Sequence, residues 1–174
     1  TLSEEEFDMA KMVENLLAII HPQIQEKNQQ LKVNISNITH EDVIGDLLHL
    51  QQVFVNIMGN AVKFTPEGGT ISFSICEKPS CIEGSGCYEF IFEDTGIGMK
   101  EEFVETIFEP FARENRTRSQ NIEGTGLGMS IANNIVRMMN GSIQVESTLG
   151  VGSKFTVRLY LKLQNVKTEV VKCL

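Results

Sequence analysis

The sequence predicts an α+β fold, a two-layer α/β sandwich in which about three helices pack on a mixed, mostly antiparallel five-stranded sheet. Two observations lead to this prediction. Apolar residues recur at helical spacing in three long segments, and in shorter segments they alternate with polar residues. Because helices are grouped with antiparallel strands instead of alternating regularly with parallel ones, the pattern favours this sandwich over a Rossmann-type sheet.

The first helix is predicted to begin directly after Ser3, since Ser3 and Glu6 form a capping-box pattern. Pro22 lacks a backbone N–H donor, so we expect it to kink or end this helix, with the apolar pattern resuming to about Lys27. A short strand from 31 to 35 should follow.

The second helix is predicted to lie between Asp46, which suits an N-cap position, and Pro66. Its residues Asn56, Asn60 and Lys63 are spaced i, i+4 and i+7, which places them within roughly 60° of one another on one helix face. A separate apolar face should pack inward, formed by Leu47, Leu50, Phe54, Ile57 and Ala61. Two amide oxygens beside one cation suit a hydrated divalent metal bound to phosphate.

Two antiparallel strands are predicted from 70 to 77 and from 88 to 93, on either side of a loop rich in Pro, Ser and Gly. The second strand leads into the sequence DTGIG. A short helix is expected within 100 to 111. The charged segment from 113 to 123 has almost no apolar anchors, so we expect it to be mobile.

The third helix opens at the sequence GTGLGM and continues to Met138, with Gly141 in the position of a C-terminal cap. Strands from 142 to 146 and from 154 to 161 complete the predicted sheet.

Length and charge bound the possible functions. The 174 residues predict one domain from 1 to 163, with 164 to 174 as a tail or the start of a linker. A formal charge of −8 argues against a general nucleic-acid or membrane surface, because anionic partners would be repelled. No apolar run approaches the ~20 residues that cross a bilayer, so we expect this segment to be soluble as it stands.

The cysteines lack the paired C-x-x-C spacing of a zinc site or a redox motif; they are Cys76, Cys81, Cys87 and Cys173. Reduced thiols are therefore expected. The first three lie around the predicted hairpin, so a metal site or a disulfide there stays an alternative.

Half of the fourteen glycines are concentrated in three G-x-G patterns: Gly96 and Gly98, then Gly124, Gly126 and Gly128, then Gly150 and Gly152. Glycine permits close approach of the backbone to a ligand. The middle pattern precedes a helix, whose free N–H groups and dipole can bind phosphate, although a packing turn is the alternative interpretation. The spacing fits neither a dinucleotide fingerprint nor a G-x-x-x-x-G-K-[ST] phosphate loop.

Asp94 lies at a predicted strand end, directly before the first glycine pair. In an apolar pocket its carboxylate can accept a hydrogen bond from the exocyclic amine of adenine. Guanine presents a carbonyl oxygen at that place, so two acceptors would face each other. An unsatisfied buried polar group costs on the order of 1 to 3 kcal/mol. The alternative is that Asp94 is only a turn residue.

Five segments in a fixed order carry a family resemblance: NIMGNAVKFT, EDTGIGM, IFEPFAR, EGTGLGM and STLGVGSKF. Together they resemble the ATP-binding catalytic domain of two-component sensor histidine kinases. That domain has the Bergerat fold, within a superfamily that includes gyrase, heat-shock chaperone and mismatch-repair ATPases. The resemblance covers roughly Asp46 to Leu161, and it implies ATP held between two long helices beneath a flexible lid.

The resemblance also implies site residues. Asn60 would bind Mg²⁺ with Asn56 beside it, Lys63 would contact phosphate, Asp94 would bind the adenine amine, and Arg113 would reach the γ-phosphate. Asn56, Lys63 and Arg113 are the predicted catalytic residues. The other implied nucleotide contacts are Gly96 and Gly98 at the base, Phe108 and Phe111 at the start of the lid, Gly124, Thr125, Gly126, Leu127 and Gly128 at its phosphate-facing hinge, and Gly150, Gly152 and Ser153 near the base.

Two of these roles have competing interpretations. Arg113 lies near Arg116 and Arg118, and a solvated charge cluster would explain all three. Phe108 and Phe111 suit core anchors as well as ligand contacts.

Asn56 separates the branches of the superfamily. Members that hydrolyse ATP have Glu at this position, whereas an amide lacks the basicity to activate water. The resemblance therefore favours transfer to a histidine on a separate dimerisation domain. His21, His40 and His49 lack the acceptor pattern of His, an acidic residue and a later Pro, so we expect surface or structural roles for them.

The implied partners are a dimerisation and phosphoacceptor domain and the receiver domain of a response regulator, within a homodimeric, membrane-associated sensor. Two alternative functions remain open: a protein serine kinase with the same nucleotide fold, and a non-catalytic nucleotide-sensing module.

Overall fold

The computed structural model describes residues 2–110 and 127–164, which form a mixed seven-stranded sheet with helices packed on one face. In chain order the elements are β1 (Glu5–Asp8), α1 (Met9–Glu26), β2 (Gln30–Ser36), β3 (Asp42–Gly45), α2 (Leu47–Phe64), β4 (Thr70–Lys78), β5 (Ser85–Asp94), α3 (Glu101–Val104), α4 (Gly128–Met138), β6 (Ser142–Thr148) and β7 (Gly152–Leu163). The α+β class is confirmed.

The sheet has the strand order β1-β3-β7-β5-β4-β2, with β6 also paired to β7. Only the β2–β4 pairing is parallel among the described strands. One edge of β7 pairs with β5, and its other edge is shared, because β6 pairs with Gly152 to Arg158 and β3 pairs with Lys162 and Leu163. The five predicted strands are all present, and β1 and β3 are additional.

The prediction of a helix starting after Ser3 was wrong. Residues 5 to 8 form β1, which pairs with β3, and α1 begins only at Met9, where Asp8 is the N-cap and accepts from the Ala10 amide at 2.7 Å. A strand forms here because the Ser3 backbone amide donates to the Asp46 carboxylate at 2.7 Å, which holds the segment beside β3. Pro22 lies inside α1 without ending it.

The core lies between the sheet and the helices, with α2 at its centre. The Phe54 ring centroid of α2 lies 4.6 Å from that of Phe90 and 5.6 Å from that of Phe92. The alternating apolar residues of the central strands face the helices and are buried: Ile71, Phe73 and Ile75 of β4, Tyr88, Phe90 and Phe92 of β5, and Phe155, Val157, Leu159 and Leu161 of β7. The sheet and α2 therefore form one packed unit.

Asp46 is the N-cap of α2, as predicted, and is almost fully buried. Its carboxylate accepts from the His49 amide at 3.1 Å and lies 2.6 Å from His49 Nδ1, in addition to the Ser3 contact. Burial alone would raise the pKa of Asp46, but these hydrogen bonds lower it below its usual value. One carboxylate thus joins the N-terminal segment to the start of α2.

The C-terminal half differs from the predictions in detail. The helix expected within 100 to 111 is only the four residues of α3, followed by turns. Helix α4 ends at Met138 with Met139 as its C-cap, and the left-handed residue that follows is Asn140, with φ +59°, rather than Gly141. The segment expected to be mobile, 113 to 123, and the tail after Gln164 lie outside the described residues.

The described cysteines, Cys76, Cys81 and Cys87, are free thiols. Within the described residues, no helix is both long and apolar enough to cross a membrane.

Replacing Asp46 with Ala should lower the free energy of unfolding at pH 7 by about 1 to 3 kcal/mol, because a helix cap and the acceptor for the Ser3 amide are both lost. Since the folded-state pKa of Asp46 is lowered, its contribution should be complete above about pH 4 and disappear as the pH falls further. Denaturant titrations at several pH values measure this. Asp42→Ala, at an exposed side chain, is the control; equal losses in both variants would contradict the prediction.

Candidate functional site

The polar face of α2 carries Asn56 and Asn60, which are half-buried, and Lys63, which is exposed. The opposite face is buried against the sheet, as the helical spacing predicted. No hydrogen bond joins the Asn60 side chain to another of the described residues. Its amide oxygen is therefore in a position to bind a ligand beside the helix.

Asn56 connects α2 to the first residue of α4. Its Nδ2 donates to the Gly128 carbonyl at 3.2 Å. The N-cap of α4 is Leu127, which provides no side-chain hydrogen bond to the helix, and Ser130 Oγ donates to the Leu127 carbonyl at 2.9 Å. The polar face of α2 thus meets a helix N-terminus whose N–H groups favour anions.

Asp94 ends β5, and its carboxylate is half-buried beside the loop that follows. Burial raises the pKa of Asp94 to about 6, although hydrogen bonds from the backbone amides of Gly96 and Ser153 act in the opposite direction. The Gly96 amide donates to Asp94 Oδ1 at 2.8 Å. The Asp94 carboxylate is therefore a partly enclosed acceptor, which suits recognition of an amine.

The loop from Asp94 to Met99 is held tightly against α2. The Ile97 amide donates to the carbonyl of Phe64, the last residue of α2, at 3.1 Å. A Cβ on Gly96 would lie 2.6 Å from that same carbonyl oxygen. Only glycine fits there without displacing the end of the helix.

The turn between β6 and β7 supports the same loop from the other side. Gly98 has φ +68°, and a Cβ there would lie 2.0 Å from the Thr148 carbonyl oxygen. The Gly150 amide donates to the Ile97 carbonyl at 2.8 Å. A Cβ on Gly152 would lie 2.0 Å from the Asp94 carbonyl oxygen, so the first and last glycine pairs pack against each other's loops.

Ser147 was missed by the sequence analysis. Its Oγ accepts from the Met99 amide at 2.8 Å, lies 2.8 Å from Ser153 Oγ and donates to the Gly152 carbonyl at 3.1 Å. It is the first residue of the segment STLGVGSKF, in which the predicted contacts are Gly150, Gly152 and Ser153. Ser147 joins the two loops that surround Asp94.

The structure brings some predicted residues together and does not describe others. Phe108 is half-buried and packs against the core, which fits an anchoring role. The residues outside the described part are Phe111, Arg113, Gly124, Thr125 and Gly126. Roles assigned to them stay predictions.

The three histidines are not among the residues of the candidate site. His40 Nδ1 is 2.7 Å from Glu77 Oε2, His49 contacts Asp46, and His21 is exposed on α1.

The donor set fits Mg²⁺ bound together with phosphate. Mg²⁺ prefers oxygen ligands and usually keeps several waters, taking few ligands from protein. The Asn60 amide oxygen supplies such a ligand, and the N-terminus of α4 and Lys63 supply positive charge for phosphate.

Comparison with known proteins identifies one family. The profile of the histidine kinase-, DNA gyrase B- and HSP90-like ATPases matches residues 45–163. The autoinducer 2 sensor kinase/phosphatase LuxQ of Vibrio cholerae is 33% identical over 165 residues, which cover 93% of this chain and 19% of that protein. The sensor histidine kinase GacS of Pseudomonas protegens is 32% identical over 155 residues, which cover 89% of this chain and 17% of that protein. The chain spans about a fifth of the length of these relatives.

Solved structures agree with the fold. Full-length ShkA in complex with AMPPNP is similar with a TM-score of 0.78 and 28% identity, over 94% of this chain and 32% of that chain. The nucleotide-free catalytic domain of histidine kinase ThkA gives a TM-score of 0.72 over 91% of this chain and 97% of that chain, with 24% identity.

Replacing Asp94 with Asn should stabilise the nucleotide-free chain at pH 7 by on the order of 1 to 3 kcal/mol, because Asn keeps an oxygen for the Gly96 amide without the buried charge. The pKa of Asp94 is raised to about 6, so its penalty is present above pH 6 and is relieved as the pH falls towards 4. The stability difference between variant and parent should therefore shrink between pH 7 and pH 5.

Thermal unfolding without nucleotide at pH 7, 6 and 5 measures this difference. Glu105→Gln removes an exposed carboxylate that is not among the groups acting on Asp94 and should show no such pH dependence. A destabilised Asp94→Asn variant at pH 7 would contradict the prediction.

Proposed function

The chain belongs to the family of histidine kinase-, DNA gyrase B- and HSP90-like ATPases as an ATP-binding domain of the sensor histidine kinase type, and from this we propose that it transfers phosphate from ATP to a partner histidine. In the proposed reaction, the Mg²⁺ complex of ATP binds beside α2, and the acceptor is a histidine on a separate dimerisation domain.

The observation that carries the proposal is that α2 contacts both halves of one site. Asn56 reaches the N-terminus of α4 through the Gly128 carbonyl, and Phe64 fixes the loop after Asp94 through the Ile97 amide. The proposed phosphate-binding region and the proposed amine-binding carboxylate therefore both adjoin α2. This is the arrangement that an adenine nucleotide requires.

Asp94 is the proposed determinant of base identity. Its carboxylate accepts from the adenine amine, whereas the guanine carbonyl would oppose it. The glycines of the loops around Asp94 let these loops pack against α2 and against each other, because a Cβ would meet backbone oxygens there. In this way they would shape the base pocket.

Asn60 is the proposed ligand of Mg²⁺, and Lys63 a proposed phosphate contact. When bound, Mg²⁺ neutralises charge on the phosphate oxygens. The N-terminus of α4 stabilises the same oxygens through its N–H groups. In the proposed site, Arg113 would add a bidentate hydrogen-bonded contact to the γ-phosphate.

The proposed acceptor is an imidazole nitrogen, which is nucleophilic when neutral. A bond forms between that nitrogen and the γ-phosphorus while the bond from phosphorus to the β,γ-bridging oxygen breaks, and ADP leaves with the electron pair. Asn56 cannot remove a proton from water, so its amide favours transfer over hydrolysis.

The proposed partners follow from this chemistry. They are the dimerisation and phosphoacceptor domain of the same kinase and a response regulator receiver domain that takes the phosphate onwards. The proposed setting is the cytoplasmic part of a membrane-associated, homodimeric sensor.

Phosphotransfer tests the proposal directly. Mixing the chain with a matching dimerisation domain and γ-labelled ATP should label a histidine, and the label should be lost in acid and survive in base. Acid-stable label would indicate a serine kinase of the same fold. Nucleotide binding without any transfer would indicate a sensing module, and either result would overturn the proposal.

Asn60→Ala should abolish the Mg²⁺ dependence of ADP binding, because the proposed amide ligand is lost. Isothermal titration with ADP, in the presence of Mg²⁺ and then of EDTA, separates the metal-dependent part of the affinity. Asn34→Ala, on the exposed edge strand β2, is the matched control and should bind as the parent does. Unchanged Mg²⁺ dependence in Asn60→Ala would mean that the metal is bound elsewhere.

A further inference from the structure

The C-terminal end of α2 is covered by the short segment that follows α1. Lys27 Nζ donates to the carbonyls of Val62 at 2.8 Å and Lys63 at 3.2 Å. Gln29 Nε2 donates to the carbonyls of Val62 at 3.0 Å and Thr65 at 2.7 Å. We call these two residues the Lys27/Gln29 pair.

The sequence explains why α2 needs these donors. The last carbonyls of a helix have no intrahelical partner. For Val62 the residue four positions later is Pro66, which has no N–H. The ammonium of Lys27 also lies at the negative end of the helix dipole, where a cation is favoured. The Lys27/Gln29 pair thus supplies the Val62 carbonyl with the donors that Pro66 cannot provide.

The carbonyl of Phe64 lies between those that the pair binds. It does not receive the Gly68 amide, which donates instead to the Lys27 carbonyl at 3.3 Å. Phe64 accepts from the Ile97 amide, and a Cβ on Gly96 would lie 2.6 Å from its oxygen. The carbonyls on both sides of Phe64 are therefore bound by the pair, while Phe64 itself sets the position of the loop after Asp94.

Gln29 is not well explained by packing alone. It is buried, and its Oε1 has no hydrogen-bond partner among the described residues; the same is true of the neighbouring Thr65 Oγ1. Burying an unpaired polar atom costs free energy, so an apolar residue of similar size would suit a purely structural position better. What Gln29 gains is two contacts to the end of α2.

We propose that Lys27 and Gln29 are positioning residues for nucleotide binding, which act through the Phe64 carbonyl on the loop that carries Asp94, Gly96 and Ile97. Neither side chain is proposed to touch nucleotide. This inference rests on the proposed function, since it assumes that the loop after Asp94 holds the base.

The test uses the 174-residue chain with Lys27→Met, Gln29→Leu and the double substitution. The double variant should bind Mg²⁺–ADP roughly tenfold or more weakly, because the loop loses its fixed position. Amide hydrogen exchange should accelerate roughly tenfold at Ile97 while core amides of β5 and β7 stay protected. Lys27→Arg keeps a cationic donor, so this variant should retain most of the parent's affinity for Mg²⁺–ADP.

Asn28→Gly is the matched control. Asn28 lies between the pair at φ +50°, and its Nδ2 contacts the exposed Glu67 carboxylate at 3.1 Å. Glycine keeps the backbone conformation and removes only this surface contact, so affinity and Ile97 exchange should match the parent.

Failure of the positioning role can be distinguished from failure of the proposed function. If the parent binds Mg²⁺–ADP and the double variant binds equally well, the positioning role is wrong. Faster exchange throughout the sheet would show a merely structural role and would also overturn it. If the double variant does not fold, the single variants and Gln29→Asn decide by the same two measurements. If the parent chain does not bind the nucleotide, the proposed function fails and the positioning role fails with it.

Discussion

Helix α2 has to satisfy two requirements at once, and the rest of the structure depends on how it does so. One face fills the centre of the core through Phe54, while the other carries Asn56 and Asn60. A helix that moved to suit a ligand would disturb the core. Hydrogen bonds therefore hold α2 at both ends, from Asp46 at its start and from the Lys27/Gln29 pair at its end.

Two carboxylates in this fold, one buried and one half-buried, have opposite energetics. Asp46 is surrounded by donors, which lower its pKa and make its charge stabilising. For Asp94, the effect of burial is larger than that of two backbone donors. The pKa of Asp94 is therefore raised, and its charge lowers the stability of the fold. The first carboxylate belongs to the scaffold and the second suits ligand recognition, since a partly satisfied acceptor gains most when a donor arrives.

Local periodicity was sufficient to predict α2, the five longer strands and the positions of Asn60 and Asp94. It was insufficient for β1 and β3, because four residues contain too little alternation to distinguish a strand from a helix start. Strand β1 depends on the contact from Ser3 to Asp46, which lie 43 residues apart in sequence. The contacts of Ser147 and Gln29 with distant backbone groups were equally inaccessible to spacing arguments. Roles of Phe111 and Arg113 stay predictions.

Strand β7 is the last described strand in the chain and yet lies in the interior of the sheet, with β5 on one side and β3 and β6 on the other. During synthesis, the ribosome must therefore release nearly the whole domain before the sheet can close. Until then β5 and β3 expose unpaired edges, which can associate with other chains. Val43 pairs with Leu163, so closing the sheet joins residues that are very far apart in sequence. This topology should therefore fold slowly for its size, and the nascent chain should depend on protection until the sheet closes.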